Sequence, residues 1–238
     1  MPKFARLIVP GCPHHIIQRG NRRQRVFFND EDRALYLKLI KRQGDRAGIT
    51  FHAYCLMDNH VHLIGVPKEK SSLAKGIGEA HRIYTNIINT REDWKGYLWQ
   101  GRFISFPLDE AHYYAAVRYV ERNPVRAGIT KTPWDFPWSS ARAHIQGSDD
   151  ALIAPNRNIL QIEDWQSYLA EQDDRDFIDE IELHEKTGRP LGSDDFLRKL
   201  ESLTDRRILP RPRGRKKGNR YCVSQLPAAQ LPLTQEQK

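Results

Sequence analysis

His60 and His62 stand one residue apart in the apolar run "CLMDNHVHLIG", residues 55–65, and imidazole is the commonest metal ligand among side chains. Alternate side chains of a strand share a face. Two rings two positions apart, with origins roughly 6–7 Å from each other, can therefore converge on one ion held at about 2.1 Å. Val61 then points to the opposite face, into a core. A His-x-His pair also occurs in strands without any ligand role, so a metal reading requires a third donor. The stretch "RYVERNPVRAG", residues 118–128, offers one. Tyr119 and Asn123 are four apart and so neighbours on one helical face. The Asn123 carboxamide oxygen could join two imidazoles around an ion, although Pro124 ends the helix there and leaves its direction open. A phenol beside a metal could attack phosphorus as phenoxide. Its ordinary pKa near 10 means that a positive site or a base must assist. A tyrosine packed on an amphipathic helix with its hydroxyl at the surface would show the same spacing.

The elements that must position these residues follow from periodicity and caps. A strand is expected at His14–Arg19 ("HHIIQR"), then a basic loop, "GNRRQR". A helix follows from Asn29 or Asp30, ending before Gly48, with Leu35, Leu39 and Ile40 inward. "TFHAYCLM" and "HVHLIGV" read as two strands joined by Asp58-Asn59. Ser72 can cap a helix whose Leu73, Ile77, Ala80, Ile83 and Ile87 recur at three and four. "YLWQGRFISF" reads as a fourth strand. Asp109 opens a helix carrying Tyr113, Ala116, Val117 and Val120, and Pro124 ends it. The order of the first six elements is that of an α+β, ferredoxin-like antiparallel sheet with helices covering one face.

The chain of 238 residues divides by composition into a compact region over 1–145, a helical accessory region over 146–205 and a basic tail over 206–238. The accessory region holds an acidic helical stretch over 163–185, a poor surface for phosphate, and a helix start at Ser193. The tail, with "RRILPRPRGRKKGNR", has no composition for a core and reads as disordered and suited to sequence-independent phosphate contact. With 38 Lys+Arg against 30 Asp+Glu, the net charge is +8, which favours a polyanionic partner. Cys12, Cys55 and Cys222 are scattered and form no C-x-x-C pair, which argues against a disulfide framework or a thiolate zinc site. No apolar stretch is long enough for a bilayer, and the N-terminus lacks the apolar segment of a secretory signal. A cytoplasmic location is expected.

The ordered set "HHIIQRGNRRQRVFF", "YCLMDNHVHLI", "LWQGRF" and "YVERNPVRAG" resembles the single-tyrosine HUH transposases, and more closely the REP-associated tyrosine transposases of bacteria. The likeness covers roughly residues 1–145, and "TGRPLGSDDFLRKLE" and the tail are similar to the longer members. The resemblance implies the HUH nuclease/transposase fold, with His60, His62 and Asn123 as ligands of Mg²⁺ or Mn²⁺ and Tyr119 as nucleophile. It further implies cleavage and rejoining of single-stranded DNA beside a REP-type hairpin, through a 5′-phosphotyrosine, in a cytoplasmic protein nucleoid-associated when bound. Arg19, Asn21, Arg22 and Arg23 are the expected readers of bases and phosphates. Trp99, Gln100 and Arg102 are expected to add a stacking surface and polar contacts, with a core role open for Trp99. Arg126 is expected to meet the scissile backbone or to cap carbonyls. Two other readings remain: a non-catalytic hairpin-binding regulator on the same fold, and phosphodiester hydrolysis by water. The helix faces do not choose between a monomer and a homodimer.

Overall fold

The computed structural model describes residues 6–153 and 162–209. Its centre is a four-stranded antiparallel sheet of β1 (His14–Arg19), β2 (Ile49–Met57), β3 (His60–Pro67) and β4 (Ile104–Pro107), in the order β2-β3-β1-β4. The β2–β3 hairpin turns on Asp58-Asn59, with Met57 opposite His60. That register fixes the side-chain alternation of β3. Val61 and Leu63 enter a core with Ile16 of β1, and His62 and Ile64 face the other way.

Two helices cover the Val61 face: α1 (Asp30–Ala47) and α2 (Ser72–Arg91). Tyr36, Leu37 and Ile40 of α1 meet Leu73, Ile77, Tyr84 and Ile88 of α2 over the sheet. The Asn29 side chain accepts from Asp32 N at 2.9 Å, so Asn29 is the cap of α1, with Asp30, Glu31 and Asp32 in the first turn where the helix dipole favours them. Ser72 lies inside the first turn of α2 and Ser71 precedes it, without a side-chain cap. Ile87 faces outward, while Tyr84 and Ile88 take the buried positions.

The opposite face is covered too. α3 (Glu110–Glu121) opens on Asp109, whose carboxylate accepts from His112 N at 3.0 Å. It lays Tyr113, Ala116, Val117, Tyr119 and Val120 on Ala53, Cys55, Ile64 and Phe106. The helix stops at Glu121, and Asn123–Arg126 (α4) forms a separate turn with Pro124 in its first positions, where the missing N–H costs nothing. Three short helices follow: α5 (Ala141–Gln146), α6 (Trp165–Ala170) and α7 (Arg175–Thr187). Ile181 of α7 joins the α3 core, and the chain after α7 is held to the end of β4 by Leu191 N donating to Pro107 O at 3.0 Å. Ser193 caps α8 (Asp194–Thr204), whose Leu200 packs with Leu7 and Ile208.

The fourth strand is shorter than its pattern predicts. Pairing runs over Ile104–Pro107, breaks at Gly101 with φ +148°, and resumes only as an isolated Gly20–Trp99 bridge. The expected basic tail lies outside the described residues from 210 onward, as does Cys222. Among the described residues no helix is long and apolar enough to cross a membrane.

Buried histidines make this fold sensitive to acid. His14 is fully buried and His81 nearly so, the latter tilted against Trp99 and bonded to the Tyr36 hydroxyl at 2.8 Å. Burial pushes His14 down to about 4 and His81 down to about 3. Both would titrate near 6.5 once unfolded. Between those values the unfolded chain binds more protons than the native one, so native stability is lost as pH falls below about 6.5. At about 1.4 kcal/mol per pKa unit, the loss by pH 4 is on the order of 5 kcal/mol. Urea unfolding at pH 7, 5.5 and 4 checks this. A midpoint that does not fall would contradict it.

Candidate metal and tyrosine site

The polar residues of the α3 face gather at one spot. His62 comes from the middle of β3, and its Nδ1 lies 2.9 Å from Nε2 of His15, which β1 presents on the same face. The two rings stack with centroids 5.1 Å apart. His60 opens β3 beside them, its ring 5.0 Å from that of His62. Its Nδ1 is 2.6 Å from the Asn59 side-chain oxygen, and the Asn123 side chain lies near enough to favour its protonated form. Tyr119 descends from α3, with ring centroids 5.9 Å from His62 and 6.0 Å from His15. The structure therefore brings His60, His62, Tyr119 and Asn123 together.

Glu185 of α7 stands in the middle of this group, 4% exposed. Its Oε1 accepts from the Tyr119 hydroxyl at 3.2 Å and lies 3.5 Å from His62 Nδ1 and 4.0 Å from His15 Nε2. Its Oε2 accepts from Arg19 Nη2 at 2.8 Å. One carboxylate oxygen thus separates the phenol from the imidazole.

Burial dominates the electrostatics. It pushes His15 down to about 3 and His60 down to about 4, and it holds His62 well below the ordinary histidine range, so all three rings are neutral near pH 7. Burial, aided by the Glu185 charge, raises the Tyr119 phenol above its usual range. The Arg126 guanidinium opposes that shift from 3.8 Å above the tyrosine ring. Burial also raises Glu185 to about 7, against the pull of Arg19.

The donor chemistry suits a divalent cation. Neutral imidazoles need lose no proton to coordinate one at neutral pH, and a carboxyl raised to about 7 is part ionised there. Two overlapping donor sets share His62. The sequence pattern names His60, His62 and Asn123. Among the described residues, His15, His62 and Glu185 also offer ligand atoms within 4.8 Å of one another. Because Nδ1 of His62 already meets His15, His15 reads more readily as the partner that orients His62 than as a ligand, leaving Nε2 for an ion shared with His60. The Nδ1 atom of His15 is buried without a partner.

The expected DNA contacts fall into three groups. Arg22 and Arg23 are exposed on a 3₁₀ turn that begins at Asn21, at φ +52° and +61°. Gln100 and Arg102 are also exposed, and they line a cleft of about 260 Å³ with Gln18, Arg19, Glu185 and Lys186. Arg126 does not reach outward: it donates to the Tyr119 carbonyl at 2.6 Å and pairs with Asp173 at 2.8 Å. Trp99 departs from the stacking role. It is 6% exposed, tilted against His81 at 4.8 Å and against Tyr84 at 6.0 Å, so its indole belongs to the core.

His15 and Glu185 were not foreseen from the sequence. Strand alternation could have placed His15 on the His62 face once β1 was paired with β3. For Glu185, sequence offers no comparable signal, because an acidic helix reads as solvated surface until its packing is known.

Residues 8–123 match the family model described as "Transposase IS200 like". Among solved structures, the chain is similar to a REP-associated tyrosine transposase bound to a REP hairpin, with 20% identity and a TM-score of 0.51 over 65% of this chain and 92% of that one. A putative transposase from Deinococcus radiodurans R1 aligns with 19% identity and a TM-score of 0.36, over 51% of this chain and 97% of that one. No curated protein matches. At such identities the likeness to the first structure is one of fold, and it agrees with the sheet order and helix placement described above. Residues 8–123, just under half of the chain, are thus a domain of the IS200-like transposase family.

Proposed function

We propose that this transposase cuts and rejoins single-stranded DNA next to a REP-type hairpin, with Tyr119 as nucleophile. The observation that carries the reading is the meeting of the Tyr119 hydroxyl, His62 and Glu185 within one buried cluster that also holds His60 and Asn123. The hairpin as partner is taken from the REP hairpin bound by the similar transposase.

His60, His62 and Asn123 would hold Mg²⁺ or Mn²⁺, with Glu185 as a further oxygen donor within reach. Imidazole donors favour Mn²⁺. The bound ion supplies positive charge that orients and polarises the scissile phosphate. Tyr119 Oη attacks phosphorus, and the bond from phosphorus to the 3′-oxygen breaks. The phenolic proton passes to Glu185 Oε1, which already accepts its hydrogen bond. Once protonated, Glu185 binds Arg19 less strongly, and the guanidinium is released toward the phosphate. The departing 3′-oxygen takes a proton from water and becomes a hydroxyl, Glu185 returns the phenolic proton to the hydroxide so formed, and a 5′-phosphotyrosine remains. Joining is the reverse: a 3′-hydroxyl displaces Tyr119, so no phosphoester is hydrolysed and no ATP is required. Arg126, above the ring, favours the phenolate. A positioned base contributes about 10²–10⁴-fold to such a step.

Arg19, Asn21, Arg22 and Arg23 would meet phosphates and bases of the DNA, with Gln100 and Arg102 across the cleft. The site of action would be chromosomal DNA in the cytoplasm. The second reading, hairpin binding without chemistry, draws on one observation: Tyr119 is only 4% exposed, beneath α7.

Incubation with Mn²⁺ and a labelled hairpin oligonucleotide, followed by denaturing electrophoresis, separates the readings. A denaturant-resistant protein–DNA band is expected. Tyr119→Phe should bind the oligonucleotide within about twofold of the parent and lose the band. An undiminished band in that variant would contradict the assignment. Cut DNA without a band would indicate hydrolysis by water, and binding without either product would indicate a regulator.

A further inference from the structure

The loop between α2 and the Gly20–Trp99 bridge displays aromatic side chains that the mechanism does not use. Tyr97 is 83% exposed, far more than the other large apolar residues described. One exposed aromatic is ordinary for a protein surface, so its setting decides what it means. The loop that carries it is held at both ends. Trp94 N donates to Asn89 O at 2.8 Å, and Asn89 Nδ2 donates to Gly96 O at 2.9 Å. Trp94 packs edge-on against Phe28, with its ring centroid 5.5 Å away. On the other side of Tyr97, Leu98 is buried, and its carbonyl accepts from Asn21 N at 2.8 Å and from Gln24 Nε2 at 3.1 Å.

Those last two bonds join Tyr97's loop to the basic loop. Tyr97 therefore stands one residue from the carbonyl that fastens down the turn bearing the exposed Arg22 and Arg23. Both arginines adopt the left-handed conformation, which side chains rarely favour, and the turn is closed by Arg23 N donating to Gly20 O at 3.0 Å and Gln24 N donating to Asn21 O at 2.9 Å. The backbone holds these cations outward at some conformational cost. From the turn, β1 leads back to Arg19 and thus to the Glu185–Tyr119 cluster. An exposed aromatic side chain on a fastened loop, bonded to a basic turn that β1 connects to the candidate nucleophile, matches what single-stranded nucleic acid requires: phosphate charges to neutralise and base faces to cover.

We propose that Tyr97 is a stacking platform for an unpaired base of the DNA, in the segment that passes from the basic loop toward Tyr119. The proposal rests on the reading of that cluster as a DNA-processing site. Arg22 and Arg23 would hold the flanking phosphates, and Trp94 would brace the loop from beneath.

The test is fluorescence anisotropy on the full chain without added divalent metal. One probe is a hairpin oligonucleotide with a single-stranded flank of about six nucleotides, and the other is the same hairpin with a blunt end. Tyr97→Ala should weaken binding of the flanked hairpin by about 5- to 150-fold, the range of one base–aromatic stack, and leave the blunt hairpin within about twofold. Tyr97→Phe should retain the affinity of the parent. The dependence of log affinity on log salt should be unchanged in Tyr97→Ala, because no phosphate contact is lost, and should flatten in Arg22→Ala. Unchanged affinity of Tyr97→Ala for the flanked hairpin, or equal weakening on both probes, would overturn the stacking role while leaving the DNA site intact. Failure of the parent protein to bind either probe would overturn both.

Discussion

A buried polar cluster needs partners from within the fold; here those of His62, Tyr119 and Glu185 come from four elements, while Nδ1 of His15 has none. His62 on β3 needs His15 on β1, the Tyr119 hydroxyl on α3 needs Glu185 on α7, and Glu185 in turn needs Arg19 at the end of β1. Each partner withdrawn leaves a desolvated donor or acceptor, which costs about 1–3 kcal/mol, and more for a charge. The constraint explains why the sheet is covered on both faces. α1 and α2 bury a side of aliphatic and aromatic residues, while α3 and α7 close a side that is apolar around the edges and polar at the centre.

Charge follows the same division. The chain carries net +8, but the arginines of α3 and α4 do not all face solvent. Asp173, whose side chain is buried, lies 3.4 Å from Arg118, 3.4 Å from Arg122 and 2.8 Å from Arg126. The acidic stretch that reads as solvated surface is thus partly an internal counter-charge, holding α3 and the helices after it in register. Arg22 and Arg23, after β1, and Arg102, before β4, stay exposed, where a polyanion would meet them. The separation between structural and outward-facing arginines can be seen only when the pairing is known.

The sheet and its helices were legible in the sequence because their signals are local. Alternation marked β1, β2 and β3, and the caps at Asn29, Asp109 and Ser193 marked three helix starts at the residues whose side chains accept the capping bonds. His60, His62, Tyr119 and Asn123 could be proposed as a group because two spacings, i to i+2 in a strand and i to i+4 in a helix, each place two of them on one face. What escaped was long-range. Glu185 reaches the cluster from 66 residues beyond Tyr119, and nothing in an acidic helix says which residue turns inward. For Trp99 the sequence leaves stacking surface and core both open, and the structure takes the core: pairing is interrupted at Gly101, and the indole packs into the α1–α2 cluster.

The account depends most on neutral imidazoles sharing one cation beside a phenol. Pulsed electron paramagnetic resonance of the Mn²⁺-loaded protein tests it directly, because directly bound imidazole nitrogen gives a resolved hyperfine coupling. Couplings from two imidazoles are expected, with one lost in His60→Ala and both the remaining coupling and tight binding lost in His62→Ala. A spectrum of hexaaqua Mn²⁺ alone, or imidazole couplings that persist in both variants, would contradict it.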